Sequence, residues 1–248
     1  MSAPKITTII PIRNRTGLRL RNCLASLRWQ EGLSKKDQEL LLVDFGSDPE
    51  HHEKILALAK DHGARVIHVR TAELWNRSRA LNLGIREAAA PITFCTDADM
   101  IFAPDFVATA LRRATDPAAL SLVLCRCRDL PDLGPEIPYG KDDFPGLLAR
   151  ATLRKAMGTG ACQILDTRWL RSVGGYDEKY VFWGFEDKDL VARAERAGLR
   201  PAWIHDETAM LHQWHPTTKN DRLYLKYKNK LRYYLTRHLV VKGRLDPS

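Results

Sequence analysis

Ile92-Thr93-Phe94-Cys95-Thr96-Asp97-Ala98-Asp99-Met100 sets two carboxylates one residue apart directly after an apolar run, with Pro91 before it and Pro104 beyond. Apolar β-formers between such breakers read as a buried strand. The acidic pair then stands at the C-terminal lip of a sheet, where open α/β folds bind ligands. Oxygen donors there suit a hard divalent cation and the phosphates it carries. Aspartate is also a common turn residue, so the pair by itself leaves both readings open.

Working outward, residues 6–10 are a β-branched run ended by Pro11, residues 40–43 form a second strand ending at Asp44, and residues 66–69 form a third. Helical spacing separates them. Leu18, Leu20, Leu24 and Leu27 follow Thr16 as a cap, residues 55–59 precede a stop at Gly63, and residues 76–90 begin at Asn76 as a second cap. Beyond the acidic pair come a helix near 105–114 and a strand over 120–124. Gly174-Gly175 then marks a turn, followed by a helix over 187–196, a strand over 208–211 and a final helix from Asp221 to Val240. In that last helix Leu223, Tyr227, Leu231 and Leu235 stack at i+4. Strands alternating with helices at this pitch predict an α/β fold, a Rossmann-like, mostly parallel, doubly wound sheet. Residues 129–160, rich in proline and glycine, read as a long loop or lid with a helix around 147–156. No repeat or Ser/Gly linker divides the chain, which favours one domain over 1–248.

Bulk properties narrow the class. The 248 residues are 44% hydrophobic, ordinary for a globular protein, without an apolar run long enough for a membrane span. The first residues carry no signal-peptide layout. Five scattered cysteines lack zinc-finger spacing and fit packed thiols in a reducing cytoplasm. A formal charge of +9 invites an anionic partner. Nucleic acid is disfavoured, because no zinc-finger, RRM or KH signature accompanies the charge. Pro11-Ile12-Arg13-Asn14-Arg15 stands where a phosphate-binding glycine loop would follow the first strand, which excludes a P-loop and a dinucleotide fingerprint.

Several segments carry chemistry. Arg13 and Arg15 present guanidinium forks suited to phosphate, against the alternative of a solvated loop. Asp44 opens Phe45-Gly46-Ser47-Asp48, a turn whose carboxylate can accept from a nucleobase or a ribose. Arg77 follows the Asn76 cap in a helix's first turn, where a cation opposes the macrodipole unless an anion sits between. Phe182-Trp183-Gly184-Phe185-Glu186-Asp187-Lys188-Asp189 combines exposed aromatics with acids. It reads as a general base with a sugar-stacking floor, or as dipole-matched acids with an Asp189–Arg193 pair at i+4. His212 and His215, at i, i+3, add imidazole donors for a metal.

In this order the segments resemble metal-dependent nucleotide-sugar glycosyltransferases of the GT-A fold, family 2, and within it the β-1,4-galactosyltransferase branch. The matching stretches are Pro11-Ile12-Arg13-Asn14-Arg15, Trp75-Asn76-Arg77 with Leu81-Asn82-Leu83-Gly84, Asp97-Ala98-Asp99, Trp183-Gly184-Phe185-Glu186-Asp187-Lys188-Asp189 and Met210-Leu211-His212. The resemblance implies an inverting, metal-dependent transfer of a hexose or N-acetylhexosamine from a UDP-sugar to a hydroxyl acceptor. Residues 1–125 would form the nucleotide-sugar half and 126–248 the acceptor half. It implies Asp187 as the catalytic base. Pro11, Arg13, Arg15, Asp44, Arg77, Asp97 and Ala98 would lie on the donor, and Asp99 and His212 on Mn²⁺ or Mg²⁺. Trp183, Glu186 and Asp189 would position the acceptor. Met210 stands two residues before His212 rather than three, and His215 is an alternative ligand. Phe45 replaces a second Asp, while Phe185 and Lys188 alter the acceptor side. The rivals are a retaining N-acetylgalactosaminyltransferase-like enzyme, a non-catalytic nucleotide-sugar binder, and a peripheral membrane protein using the basic C-terminal helix.

Overall fold

The computed structural model describes residues 3–116, 121–216 and 223–238. Its first half holds β1 (Ile6–Ile12), α1 (Leu18–Arg28), β2 (Gln38–Phe45), α2 (Pro49–Asp61), β3 (Arg65–Val69), α3 (Arg77–Glu87), β4 (Ile92–Cys95), β5 (Met100–Phe102), α4 (Phe106–Ala114) and β6 (Ser121–Leu124). The second half adds β7 (Cys127–Asp129), α5 (Phe144–Arg150), β8 (Thr152–Leu153), β9 (Gln163–Asp166), α6 (Thr167–Ser172), α7 (Glu186–Arg196), β10 (Arg200–Trp203), β11 (Met210–His212) and α8 (Leu223–Thr236). The expected element ends at Leu120, Asp221 and Val240 lie outside the described residues.

The main sheet has seven strands in the order β10-β6-β9-β4-β1-β2-β3. It is parallel except for β9, which runs antiparallel to both β4 and β6. β1 is central and buried along its whole length because each face is covered. Ile6, Ile10 and Ile12 belong to one core with Leu20, Leu24 and Leu27 of α1. Ile9 belongs to the other with Leu81 and Ile85 of α3. α3 lies so close that a Cβ on Gly84 would stand 2.4 Å from Ile9 Cγ2, so only glycine fits there.

Pro11 does not end β1. The last β1–β4 pair is Ile9 with Cys95, and Ile9 C=O still accepts from Thr96 N at 3.1 Å. In a parallel strand Pro11 would aim its missing N–H to that same side, beyond the last pair, so no ladder bond is lost. Thr16 is not the α1 cap either; Gly17 occupies that place without a side-chain bond. The 126–248 half contributes β9 and β10 to the main sheet, so the two halves share one sheet.

A second sheet, in the order β5-β11-β7-β8, stands beyond the end of β4. The loop before α5 is strapped to α1: Asn22 Nδ2 donates to Ile137 O, Tyr139 N donates to Asn22 Oδ1, both at 3.0 Å, and Arg19 pairs with Glu136. α8 docks through Leu225, through Asn229 Nδ2 on Val181 O at 3.0 Å, and through Arg232 Nε on Asp177 at 2.8 Å. The Leu223–Tyr227–Leu231–Leu235 stripe is therefore not the packed face; each of these side chains is more than half exposed.

Candidate active site

The acidic pair sits where the two sheets meet. Thr96 closes the β4 ladder and its hydroxyl donates to Ala161 O at 2.7 Å. Asp99 then precedes β5, whose Met100 pairs antiparallel with His212 of β11. Gln213 N donates to Asp99 O at 2.9 Å, so strand register delivers the carboxylate to the imidazoles. Asp99 Oδ2 lies 3.4 Å from His215 Nε2 and 3.8 Å from His212 Nε2. One donor atom from each of the three residues falls within 4.8 Å of the others. One carboxylate oxygen and two imidazole nitrogens fit a first-row divalent cation such as Mn²⁺. Both histidines, not one, converge on Asp99. Met210 instead lies in the core.

Burial pulls the Asp99 carboxyl up, but the His215 hydrogen bond and the His212, His215 and Arg15 charges outweigh it and hold the group below its usual range. His215 is pushed up in turn, chiefly by its bond to Asp99. Asp129 was not foreseen. Its Oδ1 lies 3.2 Å from His212 Nδ1, and its Oδ2 accepts from Arg154 Nε at 2.9 Å. A carboxylate behind a ligating imidazole fixes its tautomer and leaves Nε2 free to coordinate. β7 pairs in parallel with β11 and sets Asp129 opposite His212, a long-range match no local spacing displays.

Asp97 points elsewhere. Its Oδ1 accepts from Arg77 Nη2 at 2.9 Å and Nε at 3.1 Å, and Arg77 Nη2 also donates to Gly160 O at 2.7 Å. Asn76 caps α3 as expected, accepting from Arg79 N at 3.0 Å. Arg77, expected on the donor phosphates, has a buried guanidinium for which the chain's own Asp97 supplies the anion that its place in the first turn calls for. Arg77 Nη1 lies 3.8 Å from Glu186 Oε1. Among the described residues, neither Arg77 Nη1 nor Glu186 Oε2 has a hydrogen-bond partner.

Burial pushes the Glu186 carboxyl up to about 7, against the pull of Arg77, while Asp187 raises it further. Arg77 moves up despite burial, because Asp97 and then Glu186 outweigh the desolvation. Of these two carboxylates, Asp97 is the one that holds the guanidinium; Glu186 is farther away and desolvated. The consequence for pH has a definite sign. Between the ordinary carboxyl range and about pH 7 the native state keeps a proton that the unfolded chain releases, so this group's stability contribution is full at low pH and is lost as pH rises through about 7. Glu186→Gln should flatten that fall by about 3 kcal/mol at most, read as urea midpoints from pH 5 to 8.

Glu186 opens α7 after a strained approach. Phe182 and Phe185 hold φ of 74° and 75°, and Gly184 holds 101°. Two phenylalanines in the left-handed region mark a segment over-determined by its surroundings, as sites commonly are. Phe182 N donates to Trp75 O at 2.8 Å, tying the segment to the start of α3. Half-buried Asp187 accepts from Thr159 Oγ1 at 2.6 Å, and its backbone carbonyl takes Gln163 Nε2 at 3.0 Å. Trp183 is exposed, with Lys226 Nζ 4.9 Å above its ring.

Asp189, expected on the acceptor side, turns into the core. It is fully buried, paired with Arg193 Nε at 2.8 Å one turn along α7, with Tyr180 OH at 3.4 Å. Breaking such a pair strands a buried charge, so Asp189→Ala should cost about 3–5 kcal/mol in chemical denaturation. The acceptor KM of whatever folded protein remains should not move.

Arg13 donates to Glu73 O at 2.6 Å, and Arg15 stays exposed on the lip. Asn14 between them adopts φ 53° and exchanges hydrogen bonds with Asp48, both at 2.9 Å, locking this loop to the one after β2. Pro11 is buried and Ala98 packs on the core, so neither offers a polar side chain. Asp44, expected to contact the nucleobase, lies at the end of β2. Its carboxylate is fully buried and spent on Ser47 N, His52 and His68.

Comparison with known proteins follows this geometry. A model described as glycosyl transferase family 2 matches residues 7–172, and one described as the N-terminal domain of galactosyltransferase matches residues 150–215. No curated protein matches the sequence. Among solved structures the chain is similar to mannosyltransferase PcManGT from Pyrobaculum calidifontis in complex with GDP-Man and Mn²⁺, at 18% identity and TM-score 0.66, over 95% of this chain and 63% of that one. It is similar to GalNAc-T7 with UDP, GalNAc and Mn²⁺, at 14% identity and TM-score 0.69, over 93% of this chain and 47% of that one. It is likewise similar to S. aureus TarS 1-349 in complex with UDP-GlcNAc, at 14% identity and TM-score 0.69, over 98% of this chain and 68% of that one. At these identities the likeness is one of fold.

Proposed function

The chain belongs to glycosyl transferase family 2, and from that premise we propose that it is an inverting, metal-dependent enzyme moving a hexose or N-acetylhexosamine from a UDP-sugar to a hydroxyl acceptor. The observation that carries this reading is the convergence of Asp99, His212 and His215 at the lip of the sheet, with Asp129 fixing one imidazole. Those three side chains would hold the cation, which when bound supplies Lewis-acid neutralisation of charge on the leaving diphosphate. Arg13 and Arg15 add positive charge on the same lip. Asp97 keeps Arg77 in place and leaves its other oxygen for the ribose side.

Asp187 would take the proton of the acceptor hydroxyl as that oxygen bonds to the anomeric carbon and the sugar–phosphate bond breaks. The Thr159 hydroxyl orients its carboxylate, and Trp183 offers an exposed face for the acceptor. Within the loop over 129–160, residues 155–158 would be the part that closes over the donor. Arg154 is bonded to Asp129 on one side, and Thr159 and Gly160 are bonded to Asp187 and Arg77 on the other. Proton NMR of the first product formed tests inversion: the anomer opposite to the donor supports it, and the same anomer selects the retaining, N-acetylgalactosaminyltransferase-like mechanism. Donor identity is tested beside GDP-mannose, which the PcManGT complex holds.

The proposed location is the cytoplasm, at the inner face of the membrane. The five cysteines are free and buried, as a reducing compartment favours. Among the described residues no helix is long and apolar enough to cross a membrane. α8 instead exposes leucines and tyrosines next to Lys226, Lys228 and Lys230, which complements an anionic lipid surface. Vesicles containing anionic lipid should pellet the protein, and Leu231→Glu with Leu235→Glu should leave it in the supernatant. Pelleting that is equal with neutral vesicles would contradict the charge argument.

A further inference from the structure

A second group of metal-type donors lies apart from the Asp99 cluster and shares no residue with it. Asp44 ends β2, His68 stands opposite it on β3 in register, and His52 lies in the first turn of α2, which packs over both strands. Asp44 Oδ2 is 2.7 Å from His52 Nδ1 and 3.1 Å from His68 Nδ1. The two imidazole rings stack with centroids 3.7 Å apart. We propose that Asp44, His52 and His68 form a second cation site, with the donor set and openness of a zinc site.

Charge is the first reason. Asp44 is fully buried, and its only ion-pair partners among the described residues are the two imidazoles. Ser47 N, His52 and His68 are the groups bonded to its carboxylate. A buried carboxylate is costly unless it is paired as well as hydrogen-bonded. A divalent ion satisfies the carboxylate and both rings together.

Geometry is the second reason. Tetrahedral zinc with bonds of about 2.0–2.1 Å separates its ligand atoms by about 3.3 Å. The observed contacts of 2.7 and 3.1 Å would open by about 0.6 and 0.2 Å to reach it. The His52 and His68 side chains are 19% and 26% exposed, so the outer side admits water as a fourth ligand. Two histidines and one carboxylate suit zinc better than Mg²⁺ or Ca²⁺, which favour oxygen.

The site would brace the donor lip. Ser47 and Asp48, directly after β2, hold Asn14 between Arg13 and Arg15, with Asn14 N on Ser47 Oγ at 2.8 Å. A cation joining β2, β3 and α2 would stiffen the platform under that loop without touching the donor. This role is separate from the cation proposed at Asp99.

The test uses the tag-free chain carrying Asp99→Asn, His212→Gln and His215→Gln, which removes the first cluster. Zn²⁺ is titrated against a chromophoric chelator, and Co²⁺ absorption reports coordination. One tight equivalent is expected, with visible Co²⁺ bands of a four-coordinate site. Adding His52→Gln and His68→Gln should weaken it at least about 100-fold, since two of three protein ligands are gone. Zn²⁺ should also raise the melting temperature of the triple variant by mass action, a measurement that needs no further substitution. No bound equivalent and no thermal shift would overturn the proposal. So would affinity unchanged after both histidines are replaced.

Discussion

Asp187→Asn is expected to leave UDP affinity unchanged and to lower kcat by about 10²–10⁴-fold, the range a positioned general base contributes. The substitution is nearly isosteric and the residue is half-buried, so the first turn of α7 should stay intact. Asparagine still accepts the Thr159 hydroxyl through its carbonyl, which keeps the 2.6 Å contact available. What it loses is the capacity to take a proton. Thr159→Val is the companion experiment. It removes the orienting bond but keeps the carboxylate, so its effect on kcat should be clearly smaller. Donor binding is read by calorimetry and turnover by UDP release. Unchanged turnover in Asp187→Asn would mean that the base is another group or that transfer is not the function.

Loss of the cation ligands should be comparably severe and should follow a different signature. Lewis-acid stabilisation is worth several kcal/mol, so Asp99→Asn, or His212→Gln with His215→Gln, should reduce metal-supported turnover by about 10²–10⁴-fold. Asp129→Asn separates ligand from support. It touches His212 through Nδ1 only, so it should weaken Mn²⁺ binding by about 10–100-fold while saturating Mn²⁺ restores most of the rate. Mn²⁺ binding followed by electron paramagnetic resonance gives the affinities independently of turnover. If Asp129→Asn lowered the saturated rate as much as Asp99→Asn does, Asp129 would itself belong among the ligands.

The parts of this site that the sequence displayed are those whose logic is local. The β4 run bounded by Pro91 announces a strand and places Asp97 and Asp99 at its end. Asn76 announces the start of α3, and Asp189 with Arg193 at i+4 contains its own partner. What stayed hidden depends on distant pairing. β5, β7 and β11 are three residues each, too short for periodicity to register, yet their pairing brings Asp99, Asp129 and His212 together. Arg77 showed an unsatisfied cation in a helix's first turn but not that Asp97, 20 residues on, would answer it. Asp44 read as open turn chemistry because His52 and His68 reach it only after α2 folds back over the sheet. The α8 stripe misled for a related reason. Its spacing shows amphipathicity, and the docked face was instead chosen by Asn229 and Arg232 finding Val181, Trp183 and Asp177.

The central claim, a cation-supported nucleotide-sugar transferase built around Asp99, His212 and His215, is tested most directly by nucleotide release. The donors are UDP-Gal, UDP-GalNAc, UDP-Glc, UDP-GlcNAc and GDP-Man, with a library of hydroxyl acceptors, in Mn²⁺ and then in EDTA. The expected result is release from at least one UDP-sugar that requires Mn²⁺, is abolished by EDTA and is absent in Asp99→Asn. Release from no donor with any acceptor, or release equal in Mn²⁺ and EDTA, would contradict it.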